Sequence, residues 1–364
     1  MARRRPAAHP ADLAALVKVL GTHTAGLGEL VAESLRADVR AEVLYADDSA
    51  ALVSTGAPES AVAQLSYLKN AFVVLGSTPR RGDLRQAVEK IARAVPAWGL
   101  RRTGRQFRLT FSEDGRLAAV PAASRVRLET AVARATGGRF TPRGGGAVEE
   151  YWTITRRDLD EVLFARRIAR PPRPAVPKGS LAPEIAELVV NAAGPAGADD
   201  VVLDPFAGSG ALVAARVRRP FRKAICSDVG YADGTVRRLP ELARAARVVQ
   251  LPEDARVLAS VPDGSVDVVV TDPPWGEFES GPAPDEEFFA ATLTSMRRVL
   301  RPRGRLAMLL SRRLVRDVRA QWIDHGLVPE KSFDLLVNGH PATLLVGHRE
   351  AGPGPAALET GAGA

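Results

Sequence analysis

The stretch VVLDPFAGSGALV, residues 201–213, decides the fold of the C-terminal half of the chain. It indicates a short buried strand that ends at Asp204, then a tight glycine turn, then the start of a helix. In a parallel α/β sheet, a nucleotide-like ligand binds at this place, the carboxyl end of the first strand. Gly208 and Gly210 would let the backbone approach such a ligand closely. An ordinary glycine turn would give the same pattern, since the spacing is neither GxGxxG nor a Walker loop.

The acids near this turn narrow the choice of ligand. A carboxylate at Asp204 would repel a pyrophosphate but hold a cation or an amino group, which favours S-adenosylmethionine over NAD or ATP. Asp228 closes the predicted strand KAICSD, at the place where an acid usually binds ribose hydroxyls. Asp254 follows the predicted strand RVVQL and is placed to accept from the adenine amine. Each acid alone is typical of a solvated loop, but their order and spacing favour a single site.

A second motif, SVDVVVTDPPWGEF at residues 265–278, indicates a buried strand that ends in a rigid corner. Pro273 and Pro274 have no backbone N–H, so the corner offers carbonyl oxygens and the Asp272 carboxylate. Asp272 and the Pro273 carbonyl are placed to accept both hydrogens of a planar exocyclic amine, and Trp275 to stack on the base. A Pro-Pro turn beside a packed tryptophan is the purely structural alternative. Beside the glycine turn, the corner favours methyl transfer to an amino group.

Outward from these motifs, short apolar strands alternate with segments of helical periodicity. The sequence predicts a helix over 181–194 and strands at about 201–204, 223–227, 247–251, 266–271, 305–311 and 342–349. Short strands that alternate with helices predict an α/β, doubly wound (Rossmann-like) parallel sheet covered on both faces.

The N-terminal half has a different pattern, in which helices and short alternating strands are mixed. Helices are predicted at 27–37, 58–71, 83–95 and 124–136, and strands at 41–48, 72–76, 107–112 and 150–157. These elements predict a smaller α+β region over 15–170. A proline-rich linker at 171–180 would join it to the second domain at 181–350, and a basic leader at 1–14 and a tail at 351–364 would be disordered.

Charge is divided unevenly between the halves. Residues 1–178 hold 29 Lys and Arg against 18 Asp and Glu, a net charge of +11, whereas residues 179–364 hold 21 against 24, a net charge of −3. A basic half predicts a polyanionic partner such as nucleic acid, although arginines that only solvate the surface would give the same balance.

Cysteine content and hydropathy exclude several other classes of protein. The single cysteine, Cys226, excludes a disulfide framework and a cysteine-based zinc site, and it suits the reducing cytoplasm. No apolar run approaches the roughly 20 residues of a membrane span. We therefore expect neither a metal nor a membrane partner.

Together the motifs resemble the THUMP-domain class I S-adenosylmethionine-dependent methyltransferases, which methylate the 2-amino group of guanosine in RNA. The likeness is carried by LDPFAGSG followed by TDPPWG, by KGSLAPEIAELVV at 178–190 and by RRVLRPRGRLAMLLS at 297–311. The resemblance implies a catalytic corner formed by Asp272, Pro273, Pro274 and Trp275. It implies a cofactor site formed by Ser180, Asp204, Phe206, Ala207, Gly208, Gly210, Asp228, Asp254, Ala255 and Asp272.

The resemblance weakens over 15–170, where it is to a ferredoxin-like opening and to the end of a THUMP module. It implies RNA, and most simply transfer RNA, as the partner. A DNA adenine-N6 or cytosine-N4 methyltransferase would share the corner, but such enzymes usually carry a target-recognition region within or after the catalytic domain. Here the spare sequence is N-terminal. The alternative from another class is a catalytically inactive RNA-binding protein, against which the intact turn and corner argue.

Overall fold

The computed structural model describes residues 16–142, 148–171, 179–236, 239–243, 245–276 and 284–351. The chain divides into two compact units, Met1–Arg173 and Pro174–Ala364. The predicted leader at 1–14, residues 172–178 of the predicted linker and residues 352–364 of the predicted tail lie outside the described residues.

The first unit opens with six elements in the order β-α-β-β-α-β. They are β1 (Val17–Thr22), α1 (Gly28–Val39), β2 (Glu42–Ala46), β3 (Ala50–Thr55), α2 (Glu59–Ala63) and β4 (Asn70–Pro79). The four strands pair antiparallel in the order β2-β3-β1-β4. The helix predicted over 58–71 is wrong beyond Ala63. Tyr67 and Leu68, which supplied its helical spacing, are instead buried in the turn that leads into β4.

The same sheet continues through the second half of this unit. Its elements are α3 (Leu84–Ala94), β5 (Gln106–Glu113), β6 (Arg116–Leu117), α4 (Ala122–Thr136), β7 (Arg139–Phe140), β8 (Glu149–Thr155) and β9 (Glu161–Arg167). β9 pairs with β4, and the order continues β9-β8-β5-β6, with β7 beside β5. Phe107, Tyr151 and Phe164 pack between this part of the sheet and helices α3 and α4.

The second unit has the α/β, doubly wound fold that the sequence predicts. Its elements are α5 (Pro183–Ala192), β10 (Val201–Asp204), α6 (Ala211–Arg216), β11 (Lys223–Ser227), α7 (Pro240–Ala243), β12 (Val248–Leu251), β13 (Val266–Thr271), α8 (Glu286–Val299), β14 (Leu300–Ser311), α9 (Val315–Asp324), β15 (Leu327–Val337) and β16 (His340–Arg349). The seven strands follow the order β12-β11-β10-β13-β14-β16-β15, and β10 to β14 run parallel.

The strand order places the candidate motifs together. Successive strands extend from β10 in one direction to β11 and β12, and in the other direction to β13 and β14. The carboxyl ends on either side of this reversal form the crevice in which doubly wound sheets bind their ligands.

The predicted parallel sheet has antiparallel strands at one edge. β16 runs antiparallel to both β14 and β15, and β15 was not predicted. A two-residue turn explains the reversal: Val337 pairs with His340, so that Asn338 and Gly339 form the turn, both with positive φ. Asn-Gly is the preferred sequence for such a tight hairpin.

Both faces of this sheet are covered by apolar side chains. Leu203, Ile225 and Val269 face α8 and α9 in one cluster, whereas Ala224 and Cys226 belong to a second cluster with α6. Neighbouring residues of one strand thus face opposite sides, as the pleat of a strand requires.

Candidate active site

The glycine turn after β10 has one open position and one packed position. Gly208 has φ +50°, and a Cβ built there meets no atom within 4 Å apart from its chain neighbours. Gly210 has φ +89°, and a Cβ there would collide with the side chain of Leu242. Gly208 therefore leaves space in front of the backbone, as the sequence predicts, whereas Gly210 is required by packing as well as by its φ.

Several contacts from outside the turn hold it in place. The Tyr231 hydroxyl donates to the Gly208 carbonyl at 2.8 Å, and the backbone N–H of Leu239 donates to the Ser209 carbonyl at 2.9 Å. Ser180, which lies just before α5, bonds the Ser209 hydroxyl at 2.7 Å. The structure thus brings Ser180 to the turn. Sequence reasoning missed Tyr231, whose only signal is its position three residues after Asp228.

Asp228 joins the turn to the end of β11. Its carboxylate accepts from the backbone N–H groups of Gly208 and Gly230, each at 2.9 Å. The side chain is half-buried. Asp228 therefore lies beside the open face of Gly208, where the sequence predicts a contact with ribose hydroxyls.

Asp204 is the most buried acid of this site, with 1% of its surface exposed. Its Oδ1 accepts from the backbone N–H of Phe206 at 3.2 Å. Burial raises the pKa of the Asp204 carboxyl well above the ordinary value, and the nearby carboxylates of Asp272 and Asp228 act in the same direction. A cation placed before these three strand ends would relieve that electrostatic cost.

Asp254 follows β12 and is bound by its own neighbour, Arg256. The guanidinium donates to both carboxylate oxygens, with Nη2–Oδ2 at 2.6 Å, and these hydrogen bonds lower the pKa of Asp254. The same guanidinium lies 5.9 Å from the ring centroid of Phe288, which in turn lies 5.8 Å from that of Phe206. An adenine amine at Asp254 would share the carboxylate with Arg256, a contact that the sequence does not predict.

Two members of the predicted cofactor set are buried small residues. Ala207 is 6% exposed and Ala255 is 3% exposed. The backbone N–H of Ala207 donates to the Ser227 carbonyl at 2.9 Å, and the Ala255 carbonyl accepts from the Ser295 hydroxyl. These contacts fix the backbone just after the ends of β10 and β12.

The corner after β13 is rigid, and most of it is shielded from water. Pro273 is buried, Pro274 and Asp272 are half-buried, and Trp275 is 8% exposed. The indole Nε1 of Trp275 donates to Oδ1 of Asp272 at 3.0 Å. The structure therefore brings Asp272 to the same edge as Asp204 and Asp228, but it places little of the Trp275 ring at the surface.

A separate feature of the first unit is a basic groove between α3 and α4, with a volume of about 860 Å³. Four exposed arginines line it, Arg93, Arg102, Arg127 and Arg134. Among its described lining residues the only acid is Glu89, which pairs with Arg127 at 3.2 Å. We call this surface the α3–α4 arginine groove. Its charge suits a polyanion.

Within the described ranges, no helix is long and apolar enough to cross a membrane. The same ranges contain no group of three His, Cys, Asp or Glu side chains that could hold a metal ion.

One family of known proteins matches part of the chain directly. Residues 233–320 match the UPF0020 family, described as RMKL-like, methyltransferase domain. The matched segment contains Asp254 and the corner from Asp272 to Trp275.

A curated relative matches over 144 residues at 33% identity, the tRNA (guanine(10)-N2)-dimethyltransferase of Methanothermobacter thermautotrophicus. The match spans 35% of this chain and 41% of the relative, so it covers less than half of that protein's length.

Two solved structures resemble the chain over most of its length. TrmN from Thermus thermophilus has a TM-score of 0.65 at 21% identity, covering 92% of this chain and 99% of TrmN. SMU.472, a putative methyltransferase complexed with SAH, has a TM-score of 0.60 at 13% identity, covering 93% and 99% of the two chains. The chain therefore has the mixed α/β fold of these methyltransferases.

Proposed function

We propose that this protein is an S-adenosylmethionine-dependent RNA methyltransferase that methylates the exocyclic 2-amino group of a guanosine, most simply in transfer RNA. One observation carries the proposal: the Asp272–Trp275 corner lies at the same sheet edge as Asp204, Asp228 and the open glycine turn. The match to a methyltransferase family over 233–320 supports the proposed methyl transfer, and the similarity to a tRNA (guanine(10)-N2)-dimethyltransferase supports guanosine as the substrate.

The geometry of the turn fits the cofactor. Gly208 leaves open space, Asp228 lies beside it, and a cation nearby would favour the ionised form of Asp204, whose pKa is raised by burial and by the neighbouring carboxylates. S-adenosylmethionine carries a positive charge and supplies a methyl group on its sulfur. Asp228 would accept from the ribose hydroxyls and Asp254 from the adenine amine. Ser180, Phe206, Ala207, Gly210 and Ala255 would complete the walls of the site.

The corner would orient the amine that is methylated. Asp272 and the carbonyl of Pro273 would accept its two hydrogens, which aims the nitrogen lone pair at the methyl carbon. S-adenosylmethionine would supply the methyl group and take up the electron pair of its C–S bond on sulfur, and the methylated nitrogen would then lose a proton to water. No strong general base is required, because the proton leaves after the transfer.

RNA is favoured as the substrate by the charge of the first unit. Its α3–α4 arginine groove and the net +11 of residues 1–178 suit a phosphate backbone. We assign residues 15–170 to a THUMP-like, ferredoxin-like RNA-binding region and 181–350 to the methyltransferase domain, acting in the cytoplasm. A target guanine must leave its stack to reach the corner, which costs least at unpaired positions.

The proposal is tested by incubating the full chain with cofactor labelled on the methyl group and either total RNA or genomic DNA, and then analysing the nucleosides. We expect the label in N2-methylguanosine or its dimethyl form, from RNA only. Label in N6-methyladenine or N4-methylcytosine from DNA would replace the proposal with the DNA alternative. Binding of RNA without any transfer would favour the inactive RNA-binding protein.

A further inference from the structure

Four aspartates surround the candidate active site, and three of them share one local contact. Asp204, Asp228 and Asp254 each accept from the backbone N–H two residues further along the chain, at 3.2, 2.9 and 2.8 Å. This Asx-type turn fixes a carboxylate relative to its own backbone. In the fourth case, Asp272, the residue two positions on is Pro274, which has no N–H to donate.

Trp275 donates a hydrogen bond to the Asp272 carboxylate, which Pro274 cannot do because it has no N–H. Its indole Nε1–H bonds Oδ1 of Asp272 at 3.0 Å, and the ring itself is held by its surroundings, with 8% exposed. We propose that Trp275 is a positioning residue, whose indole N–H fixes the Asp272 carboxylate in the orientation that receives the substrate amine. This inference rests on the proposed methylation of an amino group.

The hydrogen bond also determines what an asparagine at position 272 would do. With Oδ1 engaged by the indole, the proposal assigns the substrate amine to Oδ2 of Asp272. In Asp272→Asn only one of the two positions carries an oxygen, and the indole N–H selects it for itself. The amide NH2 then faces the substrate amine, so that two donors oppose each other.

A pair of single variants and their combination test this assignment in the full chain, by single-turnover methylation of RNA. Trp275→Phe keeps an aromatic ring but loses the N–H. We expect it to slow methyl transfer about 10- to 100-fold with little change in the affinity for S-adenosylmethionine, because the bond lost is one to a charged group. Asp272→Asn should be slower still.

The combined variant separates positioning from a merely structural role. In Asp272→Asn with Trp275→Phe, the amide is free of the indole and can turn its oxygen toward the amine. We therefore expect the double variant to methylate several-fold faster than Asp272→Asn alone. A wild-type rate in Trp275→Phe, or a double variant no faster than Asp272→Asn, would overturn the inference.

Trp322→Phe is the matched control for losing an indole. Trp322 is fully buried in the same unit, and its Nε1 finds no acceptor among the described residues. This variant should therefore keep the wild-type rate of transfer, although it disturbs the core.

The indole hydrogen bond can also be measured without any activity, by the 15N–1H resonance of Trp275. This resonance should shift in Asp272→Ala while that of Trp322 stays in place. If the wild-type chain methylates no RNA, the proposed function fails, and the resonance alone decides the hydrogen bond. A Trp275 signal that does not move in Asp272→Ala contradicts it.

Discussion

Asp204 is an aspartate held away from water at the end of β10, and its raised pKa has a consequence for folding. The pKa of an aspartate in an unfolded chain is about 4. Above that pH the unfolded chain has released the proton, whereas the folded protein keeps it because burial and the neighbouring acids raise the pKa of Asp204. The free energy of unfolding should therefore fall as the pH rises from about 4 to the folded-state pKa, and then stay at the lower level.

Asp204→Asn should remove this pH-dependent loss of stability. The amide has no proton to lose at these pH values, and its oxygen can still accept from Phe206. At pH 8 the ligand-free variant should melt several degrees higher than the wild type, since about 1 kcal/mol corresponds to roughly 2–4 °C in a domain of this size. At pH 4 the two should melt together. Thermal melts at pH 4, 6 and 8 check this, and a difference that does not vary with pH would contradict the raised pKa.

The positions of these residues could be predicted from the sequence, but their contacts could not. An acid that ends a parallel strand lies at the carboxyl edge wherever the fold is doubly wound, so that Asp204, Asp228 and Asp272 follow from the strand pattern alone. The pairing of Asp254 with Arg256 and the burial of Trp275 depend on side-chain packing, which the local sequence pattern does not predict. The sequence therefore predicts that Trp275 stacks on the substrate base, whereas the structure shows its indole N–H hydrogen-bonded to Asp272.

At the scale of elements, a buried cluster of charged side chains joins α6 and β14 to the start of β10. Asp200, which precedes β10, accepts from Arg216 of α6 at 2.7 Å and from Arg305 of β14 at 3.0 Å. The Asp200 and Arg216 side chains are 9% and 3% exposed. Removing one partner of such a pair leaves a buried charge without compensation.

We expect Asp200→Ala to lower the free energy of unfolding by about 3–5 kcal/mol, measured by urea denaturation. The control is Asp317→Ala, which breaks an exposed pair with Arg316 and should change stability by less than about 1 kcal/mol. If the two variants lowered the free energy of unfolding equally, the burial of the cluster around Asp200 would make no extra contribution to stability.

The α3–α4 arginine groove gives a prediction about salt. Each phosphate contact that an arginine makes contributes about 0.7–0.9 to the slope of log affinity against log salt. Arg102→Gln combined with Arg134→Gln in the full chain should therefore weaken RNA binding and flatten this slope by about 1–2. Arg316→Gln, an exposed arginine of the second unit, should leave the slope unchanged. Filter binding at several salt concentrations measures it, and an unaltered slope in the double variant would place the RNA elsewhere.

At the level of elements, the sequence predicts strands well where both faces are buried and poorly where they are not. β10, β11 and β13 are almost wholly buried and mostly apolar, and they lie where predicted. β15 alternates buried and exposed residues along an edge of the sheet, and the sequence signal for its hairpin is the pair Asn338-Gly339. The sequence also does not predict β1, β3 and β9. The pairings of β1 with β3 and of β4 with β9 join segments far apart in the chain, which local patterning does not reveal, whereas β3 and β9 also pair with the neighbouring strands β2 and β8.

For the whole molecule, apolar packing and charge are divided in the same way. The buried clusters around Phe107 and Leu20 contain only residues of the first unit, and those around Leu203 and Ala224 only residues of the second. Each unit thus has an apolar core of its own, which is the condition for folding alone. The basic charge lies in the first half, and the predicted cofactor and catalytic residues lie in the second.

A chain reduced to residues 174–364 should therefore fold and bind S-adenosylmethionine with nearly the affinity of the full chain, because every predicted cofactor contact is retained. It should methylate RNA poorly, because it lacks the arginine groove and carries a slightly negative charge, so that phosphate contacts no longer concentrate the substrate at the site. Calorimetry with the cofactor and transfer assays with RNA, each at low and moderate salt, measure the two properties separately. If the fragment methylates RNA as fast as the full chain, the first unit has another task, and the RNA must be bound by the second unit itself.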